Sequence, residues 1–528
     1  MKKNISLYGI LSAVLFSMAM VGCEKDNPLS NTVKLGLSTE EYTPLEGNQE
    51  KTYINNNKYT SWVNGDRIMV NGDAATITVS GSDVSLSEVS ESSQYFSVYP
   101  ASAVNGTVNS STGAASITLP AVQTYRTTSS GAQALDAPMA AKAFLVDDHQ
   151  YVLFFKNLCT LLKIHVTSNV TVYNINVRSS STNLSGTANV TFSDGIPTMG
   201  TVSGEKYVSL YCGSGVSTGS SGKDFYVYVP SIASGNDLTI SIVAKKNSDG
   251  FRGVYVKSNS VSTTIPSNII VPISNVYESL GYSHVAQAIT AVQGNRQSVA
   301  YYGQYKAYIN TKVVQNNSMT MKMLLNTTGS YEPYGPATNR QMFLYGVNNS
   351  TSSEGVYFYL YRKPIDPSKD TTDVVGTGTL PRTYLTSLEY GSSDRINIVH
   401  SPTSFTINGT SYSQHISGSM GAKEVYVFGA NQDGSCRRFN GQFHYFRIED
   451  NTGLRFYGVP VRLKDNGTWA TLSGKGMTEG TGAVRNSYIA CMYDFVTGKF
   501  FSSEESTAPL IVITDAGWAN AATVYWYE

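Results

Sequence analysis

From residue 32 to the C-terminus the chain is written in short alternating segments bounded by Gly, Asn, Ser and Pro, with hardly any stretch that repeats every 3.6 residues. Period-two alternation puts successive side chains on opposite faces of a pleated strand, so this pattern commits the chain to all-β structure. Composition agrees, since only 14% of residues are charged while Tyr (36) and Gly (46) are plentiful beside Ser, Thr and Asn. A chain of 528 residues is long for one hydrophobic core. About 100–200 residues per domain predicts three units.

The first strand is expected over residues 32–38, where Val33, Leu35 and Leu37 share a face, and a polar stretch rich in Asn and Lys follows to residue 60. Trp62 to Val70 reads as a strand entered through an Asn64-Gly65 turn, because Asn and Gly tolerate the positive φ angles such turns need. A first sandwich, residues 23–148, should close near Asp147-Asp148. A second, residues 149–277, should open with the nearly unbroken apolar run Tyr151-Val152-Leu153-Phe154-Phe155, as a fully buried strand does. Residues 278–296 read as a linker, with 287–293 a candidate short helix, and a tyrosine-rich third unit fills residues 297–528. Within that unit Thr406-Ile407-Asn408-Gly409-Thr410 predicts a two-residue hairpin. Leu510 to Ile513 and Thr523 to Tyr527 are strand-like, and either closes the third unit or inserts into a neighbouring molecule.

Residues 1–22 predict a secretory signal peptide: Met1-Lys2-Lys3, an apolar run from Ile5 to Val21, then Gly22-Cys23. Met20-Val21-Gly22-Cys23 resembles the lipobox of bacterial lipoproteins, which implies an acylated Cys23 and a lipid anchor in the outer membrane. Glu24-Lys25-Asp26 is similar to the acidic surface-export signal of anaerobes with an outer membrane. Lys+Arg and Asp+Glu are balanced at 38 each, which argues against nucleic acid as a partner. Cys159, Cys212, Cys436 and Cys491 are far apart and form no CxxC pair, so buried free thiols are expected.

Residues 62–170 resemble the fimbrillin family of pilus subunits, through Trp62, Gly65-Asp66, Tyr99-Pro100, Leu119-Pro120 with Gln123, Ala137-Pro138-Met139-Ala140 and Phe155-Lys156-Asn157-Leu158-Cys159. The resemblance implies two tandem transthyretin-like or immunoglobulin-like β-sandwiches, outer-membrane export, and assembly with other pilin subunits by strand exchange. A protease removes the first strand, and a strand from the next subunit fills the vacated groove. Such cuts often follow Arg, and none precedes Arg67, so here the cut would follow Lys51 or Lys58.

The third unit resembles the concanavalin A-like or laminin-G-like jelly rolls. The matching pieces are Tyr308-Ile309-Asn310-Thr311, Phe343-Leu344-Tyr345-Gly346, the Asn408-Gly409 hairpin, Phe443 to Ile448, Val459-Pro460-Val461-Arg462 and the closing turn Tyr493-Asp494-Phe495-Val496-Thr497-Gly498-Lys499-Phe500. A Gly- and Thr-rich insertion follows Arg462.

Catalytic signatures are missing from the sequence. The six histidines have no metal-ligand spacing, no paired-carboxylate motif of a glycan hydrolase occurs, and Glu449-Asp450 reads as part of a turn. The expectation is a non-enzyme needing no metal or cofactor. Binding has better support, because Val356, Phe358 and Leu360 alternate with Tyr357, Tyr359 and Tyr361. Either that tyrosine row stacks on sugar or peptide, or it packs under a neighbouring segment. Phe443, Tyr445 and Arg447 alternate likewise, with the buried face undetermined. The leading expectation is a tip subunit whose jelly roll binds a glycan or surface protein. A monomeric glycan-capturing lipoprotein is the alternative, and a concanavalin-like glycan-cleaving enzyme the third.

Overall fold

The structure, a computed structural model, describes residues 32–44, 62–273, 283–294, 307–326, 340–347, 357–362, 371–377, 383–389, 395–412, 424–428, 441–504, 506 and 509–513, less a few positions inside these ranges. It is all β apart from a short 3-10 turn and one nine-residue α-helix, Asn466–Gly474, among the described residues. That helix lies in the Gly- and Thr-rich insertion, where the sequence carries no helical period. It is held by tertiary burial of Trp469 and Leu472.

Among the described residues, a seven-stranded sheet runs in the order Leu35–Thr39, Gln150–Asn157, Met139–Asp147, Phe96–Tyr99, Arg67–Val70, Asp73–Ser80 and Asp83–Leu86. One face covers a core of Leu35, Ile68, Val70, Ile77, Tyr95, Tyr99, Leu153 and Phe155. Strand Gln150–Asn157 contains the apolar run expected to open a second sandwich, and the structure corrects that reading. It pairs antiparallel with Met139–Asp147 inside the first sheet, so the expected boundary at 148 falls within a hairpin. Its apolar run reflects burial on one face, where Leu153 and Phe155 enter the core, and partial cover on the other, where Val152 is buried and Phe154 half-buried.

A second core lies between two further layers. One is the run Tyr207–Ser217, Val170–Ser179, Asn236–Lys246 and Arg252–Val261; the other comprises Lys223–Val229, Thr160–Val166, Ile269–Ile273 and Thr43–Pro44. Leu162, Ile164, Phe225 and Val227 meet Ile175, Val177, Ile240 and Ile242 between them. In the third unit Thr320–Asn326 pairs with both Ile396–His400 and Gln442–Asp450. The predicted hairpin is present: Phe405–Ile407 turns into Thr410–Tyr412 through Asn408 (φ 48°) and Gly409 (φ 82°). Both φ values are positive, as a type I′ turn requires.

The segment expected to be a linker with a helix is instead strand. Ser283–Ala288 pairs with Arg252–Val261 on one side and Gly453–Leu463 on the other, and Ala291–Gln293 pairs with Gln442–Asp450 and Ile511–Ile513. Local sequence permits either form; a free edge on each side selects the strand. A hydrogen-bonded ladder therefore crosses from the second layer system into the third unit without a break. A core joins them as well, since Tyr173, Val243 and Val254 pack with Leu324, Tyr445, Tyr457 and Phe495.

Candidate functional site

Two features combine groups able to act on something outside the chain: the first strand and a cleft between the second layer system and the third unit. The first strand is an edge strand. Leu35–Thr39 lies parallel to Gln150–Asn157, with Leu35 opposite Tyr151 and Thr39 opposite Phe155. Leu35 is buried, and Val33 and Leu37 are partly buried against the same core. Its end is fixed where the Glu40 N–H donates to the Phe155 carbonyl at 2.7 Å. A few residues on, Thr43–Pro44 leaves this sheet and pairs with Ile269–Ile273. Taking the strand away would bare one side of Gln150–Asn157, together with the fully buried Leu153 and Phe155.

The opposing sheet treats its edge differently. Strand Lys223–Val229 ends the four-stranded sheet, and two glutamine side chains stand in for a further strand. Gln123 Nε2 donates to the Tyr228 carbonyl (2.7 Å) and its Oε1 accepts from the Tyr228 N–H (3.2 Å). Gln133 does the same to Tyr226, at 2.8 and 2.9 Å. Other residues that carried the sequence resemblance also sit at joints. The Tyr99 hydroxyl lies 3.4 Å from Asp66 Oδ1 and 3.3 Å from Asp136 Oδ1, and Asn157 Nδ2 donates to Asn268 Oδ1 at 2.7 Å. Burial pushes the Asp66 carboxyl above its ordinary range, against the pull of the Val63 N–H.

The cleft encloses about 1080 Å³. Its floor is set by alternation along paired strands. Asn174, Asn176 and Arg178 share one face of Val170–Ser179, as do Tyr207, Ser209 and Tyr211 of Tyr207–Ser217. Such a polar face suggests solvent, yet Asn174 and Asn176 are fully buried. They hold the closing turn of the third unit: Asn174 Nδ2 donates to the Phe495 carbonyl (3.2 Å), Asn176 Nδ2 to Val496 (2.9 Å), Arg178 Nη1 to Thr497 (2.6 Å) and Ser209 Oγ to Phe495 (2.6 Å). The turn itself is built on the buried Asp494 carboxylate, which accepts from the N–H groups of Tyr457, Val496 and Thr497 and from the Thr497 hydroxyl. Burial raises its pKa despite these bonds.

Above the floor, the Arg178 guanidinium lies over the Tyr207 ring at 5.7 Å, and Arg447 lies over Tyr211 and Tyr457 at 5.9 and 5.4 Å. Arg447 pairs with Glu449, which also meets Lys322 at 2.8 Å; Arg455 meets Asp450 at 2.8 Å and Lys499 meets Glu479 at 2.6 Å. Glu449 and Asp450 are therefore the last residues of strand Gln442–Asp450, and the turn is Asn451-Thr452; the expectation that they form the turn is corrected by two residues. The buried faces of this strand are now fixed: Phe446 and Ile448 enter the third unit's own core, Tyr445 enters the shared one, and Arg447 faces the cleft.

Cys23, Lys51 and Lys58 lie outside the described residues, as do Cys436 and residues 514–528. Tyr357, Tyr359 and Tyr361 share a face of strand Tyr357–Arg362, whose backbone pairs with Arg340–Phe343 and Thr371–Thr377; their side chains lie outside the described residues. Cys159, Cys212 and Cys491 are buried free thiols, as expected. Among the described residues no three His, Cys, Asp or Glu side chains gather closely enough to hold a metal ion. Sequence reading missed the cleft, because Arg178, Tyr207 and Arg447 come together only through pairing across some 270 residues. The one available signal was the polar alternation Asn174, Asn176, Arg178.

No family model matches the chain, and no curated protein matches it. Among solved structures it is similar to a fimbrial protein from Bacteroides ovatus ATCC 8483, at 11% identity and a TM-score of 0.23. That match covers 53% of this chain and spans 57% of the other, little more than half of each.

Proposed function

We propose that the chain is a strand-accepting pilus subunit, exported as an outer-membrane lipoprotein through Cys23, with the third unit as its binding head. The observation that supports this most is the first strand. Of two comparable sheet edges, one is permanently sealed by Gln123 and Gln133 side chains, whereas the other is covered by a short segment near the N-terminus. Polar chain carrying Lys51 and Lys58 follows that segment, where a protease could sever it. Burying Leu35 contributes about 2 kcal/mol to holding the strand, beside its ladder bonds and the partly buried Val33 and Leu37, and an incoming strand with apolar residues at those positions would reproduce these contacts. The pairing of Ile511–Ile513 with Ala291–Gln293 in the same chain supports a molecule that accepts a strand without lending this one.

Limited digestion of the full-length mature protein with a lysine-specific protease tests the reading. Cleavage after Lys51 or Lys58 should free residues 32–44 on mild denaturation. The product should then bind a synthetic peptide of residues 32–39, recovering its melting temperature. Protein that resists the cut and is missing from sheared pilus fractions would instead be a monomeric surface lipoprotein.

A further inference from the structure

Cations line the cleft in excess: Arg178, Lys206, Lys312, Arg447, Arg455 and Lys499 face four carboxylates, Glu205, Glu449, Asp450 and Glu479. Four of these cations have acidic partners, Lys312 with Glu504 at 3.6 Å and the other three as described above. Arg178 and Lys206 have none within ion-pair distance among the described residues. The Arg178 guanidinium offers five N–H donors, and its one hydrogen bond among the described residues goes to the Thr497 carbonyl. Lys206 Nζ donates to the Ser180 carbonyl at 3.0 Å. Both line the cleft, Arg178 opposite Tyr207 in the ladder and Lys206 at the entry to that strand. A half-buried guanidinium with no carboxylate in ion-pair range, on which Glu479 and Glu205 act only at longer range, is complementary to an anion at the wall of an open cleft.

The surroundings narrow the class of anion. Glu205 lines the same wall beyond ion-pair range, so the local excess is small and suits a sparse charge rather than a polyphosphate or nucleic acid. Tyr207 and Tyr211, spaced four residues apart on one strand face, add ring surface and hydroxyls to the wall, whereas the hydroxyls of Thr118, Ser185 and Thr452 donate within the protein, to Asn105, the Tyr207 carbonyl and Asp450. A ligand with C–H faces, a hydroxyl rim and an occasional carboxylate matches that wall. We propose that the cleft binds a carboxylated oligosaccharide, with a sugar acid's carboxylate on Arg178 and Lys206 and its rings along Tyr207 and Tyr211. This rests on the reading of the chain as a binding subunit, with the ligand held between the second layer system and the third unit, and not on strand exchange.

The test is calorimetric titration of the full-length mature protein with oligogalacturonate, a sialylated oligosaccharide, their methyl esters, neutral oligosaccharides of equal length and an acidic peptide. One of the two acidic glycans should bind, and esterification should weaken it by about tenfold or more, the size expected for a lost charged hydrogen bond. Arg178→Gln should weaken binding by about tenfold and Arg178→Lys by less. Since Arg178 also holds Thr497, the exposed Lys206→Gln serves as the second variant, weakening binding severalfold with an unchanged melting temperature. Equal binding of acid and ester, binding of the acidic peptide alone, or no acidic glycan bound would overturn the proposal. Glycan binding that ignores both variants would remove it from the cleft while leaving a binding head in place. Strand exchange, read by the digestion experiment, is independent of all these outcomes.

Discussion

Gly498 adopts φ +68°, and a Cβ there would collide with Asn176 Oδ1. Gly498→Ala therefore strains the turn and pushes away the side chain that fixes Val496; a loss of about 2–4 kcal/mol in denaturant unfolding is expected. Asp494→Ala strands the N–H donors of Tyr457, Val496 and Thr497 and should cost about 3 kcal/mol. For Glu449, burial raises the pKa, but hydrogen bonds and charge from Lys322 and Arg447 more than offset this, leaving it below its ordinary value of 4.5. A carboxyl lowered in the folded state contributes stability that is complete above the ordinary value and is lost as pH falls through the lowered one. Stability attributable to Glu449 should be flat from about pH 8 to 5 and decline below about 4.5, and Glu449→Gln should remove that part of the decline. Burial pushes the thiols of Cys159, Cys212 and Cys491 upward, so an alkylating reagent should label them only in denatured protein. Among single residues, Asn408-Gly409 was legible because the turn is decided by two adjacent backbones. The work of Gln123 was not, since its partner Tyr228 lies 105 residues away.

Strands were legible wherever alternation was local, including the first strand and the hairpin at residues 405–412. Boundaries between units were not, because the partner of a strand depends on which edge is free in three dimensions. Gln150–Asn157 could close the first sheet or open another, and its sequence is apolar enough for both. Residues 287–293 offered Ala and Gln beside Ile and Val, a mixture that two waiting edges resolve as strand. The glutamine seal gives an element-scale prediction. Replacing both Gln123 and Gln133 by Ala removes the cover from Tyr226 and Tyr228, and light scattering should report association that the parent protein lacks.

At the scale of the molecule, the second layer system and the third unit share a core and a strand ladder, so they should unfold in one calorimetric transition rather than two. A fragment ending at residue 277 would leave Tyr173, Val243 and Val254 facing water and should aggregate. The ladder through Ser283–Ala288 also bears on load. A unit joined through a flexible tether swivels freely, and a pull on it first straightens the tether. Here the connection is hydrogen-bonded on both sides, so a pull applied at the third unit is resisted at once by many bonds acting together, and that unit keeps its bearing on the rest of the chain.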